Sequence, residues 1–337
     1  MTNDQVKHIG EQGLLAKLQR FCPAEIIGDD AAVLVTAPEK SLVVTTDVLV
    51  DGVHFSNVTT SPEDAGWRAA AANLSDLAAM GASPLGITVG LGLPGDLSIS
   101  WVERLYQGMT ECLQNYNTPI VGGDIVRSPV ITLSITAFGQ VHPSQIIRRS
   151  SAQVGEAIVV TGVHGASHAG LELLLHPELG QSLKDELKAA LIKAHQRPQP
   201  RLDVLPILWE ILDSYSQSPH LPVAGMDSSD GLADAILQIC RTSNVGAILE
   251  VRQIPLPAAF NHWLAKEQAL EYALYGGEDF ELVLCLPQDV ASTLVQQLGQ
   301  DAAIIGTITS QATVILQDAN KEIPDQVLSF SQGFQHF

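Results

Sequence analysis

Residues 41–50 read SLVVTTDVLV, and this stretch decides the fold of the first half of the chain. Its β-branched residues predict a strand that ends at Asp51-Gly52. A helix is expected next, because Ser61-Pro62-Glu63-Asp64 combines a capping serine, a first-turn proline and two acids. We expect this helix to end at Gly81, where glycine suits a left-handed cap. A second strand is then predicted over residues 86–93.

The rest of the chain continues to alternate helices with strands. No glycine-rich turn of a dinucleotide-binding fold accompanies the alternation, so mixed sheets of an α+β protein are favoured over a doubly wound parallel sheet. His142-Pro143 is a candidate domain boundary, because a fresh strand, AIVVTG, follows soon after it. The pattern predicts further helices at 5–20, 101–116, 183–194, 203–214 and 231–241, and further strands at 131–141, 157–162, just before Asp227, near 246–251 and near 280–286.

Size and charge limit the possible functions. With 337 residues and 46% apolar types, the chain is long enough for two domains with buried cores. Its 37 acidic and 18 basic side chains give a net charge of −19, which argues against binding nucleic acid or an anionic membrane. Four cysteines without a CxxC pair, and an N-terminus without an apolar signal core, predict reduced thiols and a cytoplasmic location.

Two aspartates lie in unusually apolar surroundings. Asp47 falls inside the predicted strand, and Asp76 is the only charge between Ala69 and Gly95. A carboxylate buried without a partner costs several kcal/mol, so such groups are expected to be paired or to bind a metal. Between Lys40 and Lys184 there is no lysine and there are only five arginines, so coordination of Mg²⁺ is the better joint hypothesis. Other acids could instead be turn formers or helix caps: Asp30, Asp124, Glu278 and Asp279 lie one or two residues after a glycine, and Asp227 and Asp230 flank Ser228-Ser229 just before a predicted helix.

The usual phosphate-binding and zinc motifs are missing from the sequence. There is no GxxxxGK[ST] loop, no protein-kinase catalytic set and no HExxH pair. The string GLGLPG at 90–95 resembles GxGxxG, but Pro94 interrupts it and no helix is predicted to start at its last glycine. We also find no specific covalent nucleophile.

Six strings in order resemble thiamine-monophosphate kinase, of the group that contains aminoimidazole ribonucleotide synthetase, selenophosphate synthetase and a hydrogenase-maturation protein. The resemblance covers essentially the whole chain. It is carried by GDDAAV (28–33), TTDVLVDGVHF (45–55), ANLSDLAAMGASP (72–84), GGD (122–124), GMDSSDGL (225–232) and GGEDFEL (276–282).

The resemblance implies a fold and an activity. The fold would be a two-domain α+β fold like that of aminoimidazole ribonucleotide synthetase. Residues 1–143 would bind ATP and Mg²⁺ and contribute a mixed sheet to a homodimer barrel, and residues 144–337 would complete the active-site cleft. The activity would be direct, in-line and Mg²⁺-assisted transfer of a phosphoryl group from ATP to thiamine monophosphate, which yields thiamine diphosphate.

Site residues follow from the same resemblance. Several Mg²⁺ ions would be held by Asp30, Thr45, Thr46, Asp47, Asp76, Asp124, Asp227 and Asp230. ATP would contact Tyr106, Gly123, Asp124, Arg149 and Ser229. Thiamine monophosphate would contact His54, Glu278 and Phe334. The family often has Arg-Ser-Gly-Ala where this chain has Arg149-Ser150-Ser151-Ala152, so either Arg148 or Arg149 could contact ATP.

Two alternatives remain open at this point. Another ATP-cleaving enzyme of the same group, such as an amidine cyclo-ligase, would share most of these motifs. A protein of a different class, which binds divalent cations without catalysis, would bind metal but consume no ATP.

Overall fold

The computed structural model describes residues 5–23, 31–215, 221–299, 301–322 and 324–332. Two of the predicted site residues, Asp30 and Phe334, lie outside these described residues. The chain forms two compact units. The first comprises Met1–Leu77 and Ala82–Val141, and the second comprises Ala78–Gly81 and His142–Phe337. Both units combine helices with a mixed sheet, which confirms the predicted α+β class.

The first unit is built on a four-stranded sheet in the order β1-β4-β2-β3. Strands β2 and β3 are parallel, whereas β4 is antiparallel to β1 and β2. The strands are β1 (Ser41–Val50), β2 (Ser83–Leu93), β3 (Ile120–Arg127) and β4 (Thr132–Val141), and the helices are α1 (Val6–Leu18), α2 (Pro62–Ala79) and α3 (Ile99–Gln114).

The two faces of this sheet differ in burial. Leu133 and Ile135 of β4 are completely buried on one face, which is also the face that Leu77 of α2 approaches. On the other face, Val44 and Val48 of β1 are 54% and 48% exposed. Alternate residues of a strand point to opposite faces, so the strand pattern gives the first unit one covered face and one face that its own residues leave half open.

Glycines allow α2 and α3 to pack very closely. A Cβ atom added at Gly66 would lie 1.9 Å from the carbonyl oxygen of Leu105, and one at Gly108 would lie 1.8 Å from that of Glu63. Each helix therefore presents a glycine to the backbone of the other, and a larger residue at either position would force the helices apart.

The second unit contains a seven-stranded sheet in the order β11-β10-β7-β9-β5-β8-β6. Alternate residues of β5 belong to two separate hydrophobic clusters, with Ile158 and Val160 in one and Ala157 and Val159 in the other. The sheet is thus buried on both faces, which explains the uninterrupted apolar sequences of its central strands. The strands are β5 (Ala157–Val160), β6 (Ala224–Asp227), β7 (Gly246–Glu250), β8 (Leu282–Leu286), β9 (Ala303–Thr309), β10 (Val314–Gln317) and β11 (Gln326–Val327). Its helices are α4 (Ala166–Leu175), α5 (Asp185–Gln196), α6 (Val204–Tyr215), α7 (Leu232–Ser243), α8 (Lys266–Tyr275) and α9 (Gln288–Leu298).

Several boundaries differ from the sequence-based expectation for local reasons. Helix α3 begins earlier than predicted, because the side chain of Ser98 accepts a hydrogen bond from the backbone of Trp101 and caps the helix. Strand β8 begins at Leu282 rather than near residue 280, because Glu278 and Phe280 both have positive φ angles. Strand β3 was not predicted, since its two glycines weaken the strand pattern.

Other predictions were confirmed closely. Gly81 has φ of 73°, as expected for a left-handed residue after α2.

Among the described residues, no helix combines the length and the apolar character required to cross a membrane. Helices α4, α8 and α9 and strands β9 and β10 were not predicted from the sequence.

Candidate active site

In the first unit, strand β1 and helix α2 bring two of the predicted metal ligands together. The hydroxyl of Thr45 donates a hydrogen bond to the carboxylate of Asp76. Asp47 lies two residues beyond Thr45 and therefore on the same face of β1. All three side chains are half-buried. This face of the sheet thus presents two carboxylates and a hydroxyl, which are oxygen ligands of the kind that Mg²⁺ binds.

Two other predicted ligands lie on the opposite face of the sheet. The register places Thr46 beside Thr136 of β4, and it places Asp124 beside Gly90 of β2, in the row that contains Ser134. The Thr46 hydroxyl donates to the carbonyl of Ile135 at 2.8 Å. The first unit therefore divides its predicted ligands between two faces, with Thr46 and Asp124 apart from Thr45, Asp47 and Asp76.

Gly123, predicted to contact ATP, has a structural reason to be glycine. An added Cβ atom would lie 2.2 Å from the carbonyl oxygen of Val89 on the paired strand. The next residue, Asp124, is exposed, and its carboxylate accepts a hydrogen bond of 2.9 Å from the backbone of Ile125. The close approach of β3 to β2 thus fixes the backbone that presents Asp124.

His54 and Tyr106 occupy different kinds of position. His54 lies in the turn after β1, where its Nδ1 accepts a hydrogen bond of 3.1 Å from the backbone of Val50. Tyr106 is only 5% exposed, and its ring centroid lies 5.5 Å from that of Phe21. Burial raises the pKa of the Tyr106 hydroxyl. Tyr106 therefore has the surroundings of a core residue, and its contact with ATP stays a prediction.

In the second unit, the loop after β6 carries three of the predicted residues. Asp227 ends the strand and is 2% exposed, and its carboxylate accepts a hydrogen bond of 3.1 Å from the hydroxyl of Ser229. Asp230 is exposed and precedes Gly231, which has φ of 104° and occupies the N-cap position of α7. We call residues 227–231 the aspartate loop.

A second loop, residues 276–281, packs directly against the aspartate loop. The backbone of Glu278 donates a hydrogen bond of 2.7 Å to the carbonyl of Ser229. A Cβ atom at Gly277 would lie 2.6 Å from the same carbonyl oxygen. Glu278 and Phe280 have φ angles of 68° and 54°, which are strained for residues other than glycine. Such strain persists only where surrounding contacts fix the backbone, and it is common at functional sites. We call this segment the glutamate loop.

A buried hydrogen-bond network, missed by the sequence analysis, lies behind both loops. It begins in residues 161–167, which run from the end of β5 into the first turn of α4. His164 is completely buried, with Nδ1 3.2 Å from the carbonyl of Gly162 and Nε2 3.1 Å from the hydroxyl of Ser228. A carbonyl can only accept, so Nδ1 donates to Gly162, and the neutral ring accepts from Ser228. Burial lowers the pKa of His164 to about 4, which keeps the ring neutral at pH 7.

The same segment is linked to the glutamate loop. Asp279 accepts hydrogen bonds from the backbones of Gly165 and Ser167, at 2.6 and 2.9 Å, at the start of α4. Burial raises the pKa of Asp279 to about 7, against the opposing effect of these two donors. The hydroxyl of Ser167 lies 3.2 Å from Nδ1 of His195, which is itself 3.8 Å from a carboxylate oxygen of Glu278.

An ion pair fixes the far end of the glutamate loop. Arg201 contacts the carboxylate of Glu281 at 2.5 Å and the carbonyl of Thr161 at 2.6 Å. The Thr161 hydroxyl donates to the same Glu281 oxygen at 2.5 Å. The only sequence signal for this network was a run of small and polar residues, TGVHGAS, after an apolar strand.

The two candidate ATP-contacting arginines lie next to β6, and both are exposed. The backbone of Arg148 pairs with Ala224 of β6. The carbonyl of Arg149 accepts hydrogen bonds from the hydroxyls of Thr242 and Ser243, at 2.9 and 2.8 Å. The backbone is thus held at both positions, and the choice between the two guanidinium groups stays open.

The described part of the chain contains no group of three or more His, Cys, Asp or Glu side chains arranged to hold a metal ion. The predicted ligands that are described form smaller groups: Thr45 with Asp76, and Asp227 with Ser229. The eight-residue ligand set therefore stays a prediction.

Comparison with protein families identifies the class. The N-terminal domain of AIR synthase related proteins matches residues 28–141, and their C-terminal domain matches residues 153–319. The chain therefore belongs to the AIR synthase related family, whose two domains account for most of its length.

Individual relatives narrow the assignment. The chain is 51% identical over 338 residues to the thiamine-monophosphate kinase of Synechococcus elongatus, covering 100% of this chain and 99% of the relative. A crystal structure of thiamine-monophosphate kinase from Stenotrophomonas maltophilia is 33% identical, with a TM-score of 0.77 over 90% of this chain and 95% of that one. A structure of AaThiL complexed with AMPPCP and TMP is 31% identical, with a TM-score of 0.71 over 97% and 99% of the two chains. Within its family, the chain belongs to the thiamine-monophosphate kinases, which confirms the resemblance seen in the sequence.

Proposed function

We propose that this protein transfers the γ-phosphoryl group of ATP to the phosphate of thiamine monophosphate, which yields thiamine diphosphate and ADP. The observation that carries the proposal is end-to-end similarity to thiamine-monophosphate kinases, one of which forms a complex with AMPPCP, an ATP analogue, and TMP. Within the described residues, no specific observation favours the amidine cyclo-ligase or the non-catalytic alternative.

The chemistry requires two polyanions to approach to bonding distance. Two unit charges of the same sign 4 Å apart repel by about 4 kcal/mol at an effective dielectric constant near 20, and multiply charged phosphates repel more strongly. In phosphoryl transfer, catalysis comes mainly from positioning and from electrostatic stabilisation. A chain with a net charge of −19 has few cations of its own for this task, so the proposal includes Mg²⁺.

The described donors fit Mg²⁺ chemically. The candidate ligands of both units are carboxylates and hydroxyls, which are the hard oxygen ligands that Mg²⁺ prefers over nitrogen or sulfur. In the first unit, Asp47 and Asp76 would hold the metal, with Asp76 oriented by the Thr45 hydroxyl. In the second unit, Asp227 would do so, with its carboxylate oriented by Ser229. Bound Mg²⁺ would neutralise charge on the phosphate oxygens.

Substrate contacts are assigned to the two loops and to the exposed residues Arg148 and Arg149. The Ser229 hydroxyl and either Arg148 or Arg149 would contact ATP, since an exposed guanidinium suits phosphate oxygens. The Glu278 side chain is 35% exposed, so its carboxylate can meet the cationic thiazolium ring of thiamine. His54 and Phe334 stay predicted partners of thiamine monophosphate, and Asp30 stays a predicted metal ligand.

We also propose that the protein is a homodimer that works in the cytoplasm. The open face of the first unit's sheet carries Leu42, Val44 and Val48, which are 53%, 54% and 48% exposed. Exposed apolar side chains on a sheet face are typical of a protein interface, and a second copy would bury them. The four cysteines are not joined in disulfides, a state that a reducing compartment maintains.

The test is direct. The purified protein is incubated with ATP, thiamine monophosphate and Mg²⁺, and chromatography is used to look for thiamine diphosphate and ADP in equal amounts. Asp227→Asn should reduce turnover by at least about 100-fold without unfolding the protein, since it removes one charge from a proposed metal ligand. The matched control is Asp213→Asn, which changes an exposed aspartate on α6. Absence of thiamine diphosphate, or full activity of Asp227→Asn, would contradict the proposal.

A further inference from the structure

Two buried histidines lie behind the two loops of the second unit. His164 contacts Ser228 in the aspartate loop, and His195 lies beside Glu278 in the glutamate loop. The two histidines are 0% and 2% exposed. Neither ring is placed to bind a ligand itself, so any effect on the reaction must pass through the loop residue that it contacts.

On the basis of the proposed function, we propose that His164 and His195 are positioning residues with separate tasks. His164 holds the aspartate loop and thereby sets the affinity for ATP. His195 orients Glu278 and thereby sets the affinity for thiamine monophosphate.

Ser228, the residue that His164 contacts, is fixed at two atoms. Its hydroxyl donates to Nε2 of His164 at 3.1 Å, and its backbone donates to the carbonyl of Glu281 at 2.8 Å. Ser228 stands between Asp227 and Ser229, which are the proposed metal and ATP ligands. Since Ser228 is completely buried and held at two atoms, the directions of its two neighbours follow from the same hydrogen bonds.

One ring nitrogen of His195 lies close to both Ser167 and Glu278. Nδ1 lies 3.2 Å from the Ser167 hydroxyl and 3.8 Å from a carboxylate oxygen of Glu278. Ser167 is itself fixed, because its backbone donates to Asp279 at 2.9 Å. The first turn of α4 thus sets the ring of His195, and the ring lies against the one side chain of the glutamate loop that is proposed to contact thiamine.

The two histidines act through different nitrogens, and this difference can be tested with amides. The amide of asparagine reaches the position of Nδ1, whereas that of glutamine reaches the position of Nε2. Glutamine should therefore restore the contact of His164 with Ser228, and asparagine should not. At His195 the order is reversed, because asparagine preserves the Nδ1 contacts and glutamine does not. A residue that merely fills buried space would not give opposite preferences.

The experiment compares four variants with the wild type: His164→Asn, His164→Gln, His195→Asn and His195→Gln. KM is measured for ATP and for thiamine monophosphate, and calorimetry gives the dissociation constants of AMPPCP with Mg²⁺ and of thiamine monophosphate. We expect His164→Asn to weaken ATP and AMPPCP binding about tenfold, the effect of one lost hydrogen bond, with less than about a twofold change for thiamine monophosphate. His195→Gln should show the opposite preference with a smaller factor, about threefold for thiamine monophosphate, because the 3.8 Å between Nδ1 of His195 and Glu278 is longer than a hydrogen bond. His164→Gln and His195→Asn should lie near the wild type.

Folding is checked for each variant by circular dichroism and thermal unfolding. If a histidine variant does not fold, Ser228→Ala and Ser167→Ala remove the same hydrogen bonds from the other side and should reproduce the same split. Equal changes in the affinities for both substrates, or the same amide preference at both histidine positions, would overturn the inference while leaving the proposed function intact. A wild type that binds neither ligand and makes no thiamine diphosphate would refute both.

Discussion

Protonation of His164 should make the protein sensitive to acid in a defined pH range. Burial lowers its pKa from 6.5 to about 4 in the folded protein. Between these two values the unfolded chain binds a proton that the folded chain does not, so stability falls as the pH falls from about 6.5 towards 4. The shift of about 2.5 pH units, at about 1.36 kcal/mol per unit, gives a loss of about 2 kcal/mol at pH 5 and about 3 kcal/mol at pH 4.

The measurement is urea unfolding of the wild type and His164→Gln at pH 7.5, 6.5, 5.5 and 5.0. Glutamine cannot be protonated in this range, so the stability of the wild type relative to the variant should fall by about 2 kcal/mol between pH 7.5 and 5. The effect of Asp279 on stability has the opposite pH dependence. Because its pKa is raised in the folded protein, Asp279 stabilises the folded state below about pH 4, and this stabilisation is lost as the pH rises through about 7. It is present in both proteins and cancels in the difference.

The control for removal of a histidine is His262→Gln, since His262 is exposed. Its stability should follow that of the wild type across the range. The free energies of unfolding of the wild type and His164→Gln could instead differ by the same amount, within about 0.5 kcal/mol, from pH 7.5 to 5. His164 would then be protonated as readily in the folded protein as in the unfolded one, and the lowered pKa would be wrong.

Three further predictions concern packing, assembly and metal. Gly108→Ala should lower the free energy of unfolding by about 1–3 kcal/mol in urea melts, because its Cβ would lie 1.8 Å from the carbonyl oxygen of Glu63. The control is Gly95→Ala, whose Cβ would have its nearest contact at 3.6 Å, so its free energy of unfolding should change little. Val44→Lys should convert the proposed dimer to a monomer in light-scattering measurements. The control is Val327→Lys, at a site 63% exposed in the other unit, which should leave the dimer intact. An unchanged mass for Val44→Lys would rule out the sheet face that carries Val44 as the interface. Chelation with EDTA should abolish thiamine diphosphate formation, and added Mg²⁺ should restore it; turnover that persists in EDTA would exclude a metal requirement.

Much of the fold could be predicted from local sequence. Strand β1 has the bounds that its β-branched residues indicated, and α2 begins at the capping sequence around Pro62. These elements were predictable because their signals are local, namely side-chain shape, capping hydroxyls and the position of proline. Strand β3 was not predictable, because its glycines have low strand propensity and the element exists only through pairing with β2.

The candidate site was predicted less completely. The sequence singled out Asp76 because a lone charge in an apolar stretch requires a partner, and the Thr45 hydroxyl is such a partner. The resemblance grouped Thr46 and Asp124 with these residues as metal ligands, yet the strand register places them on the opposite face. A one-residue step along a strand reverses the direction of the side chain, so the sharing of a face depends on pairing across the sheet.

Sequence alone was enough to predict the class of the protein, the main helices and strands, and the acids that could bind a metal through oxygen. Each of these depends on residue types and short spacings. Only the tertiary structure decided that the aspartate and glutamate loops touch, and that His164 and His195 stand behind them. Those contacts join residues that are far apart in the chain, 64 positions in the case of His164 and Ser228. Hydrogen bonds over such separations form only when the whole sheet has assembled, so no local pattern records them.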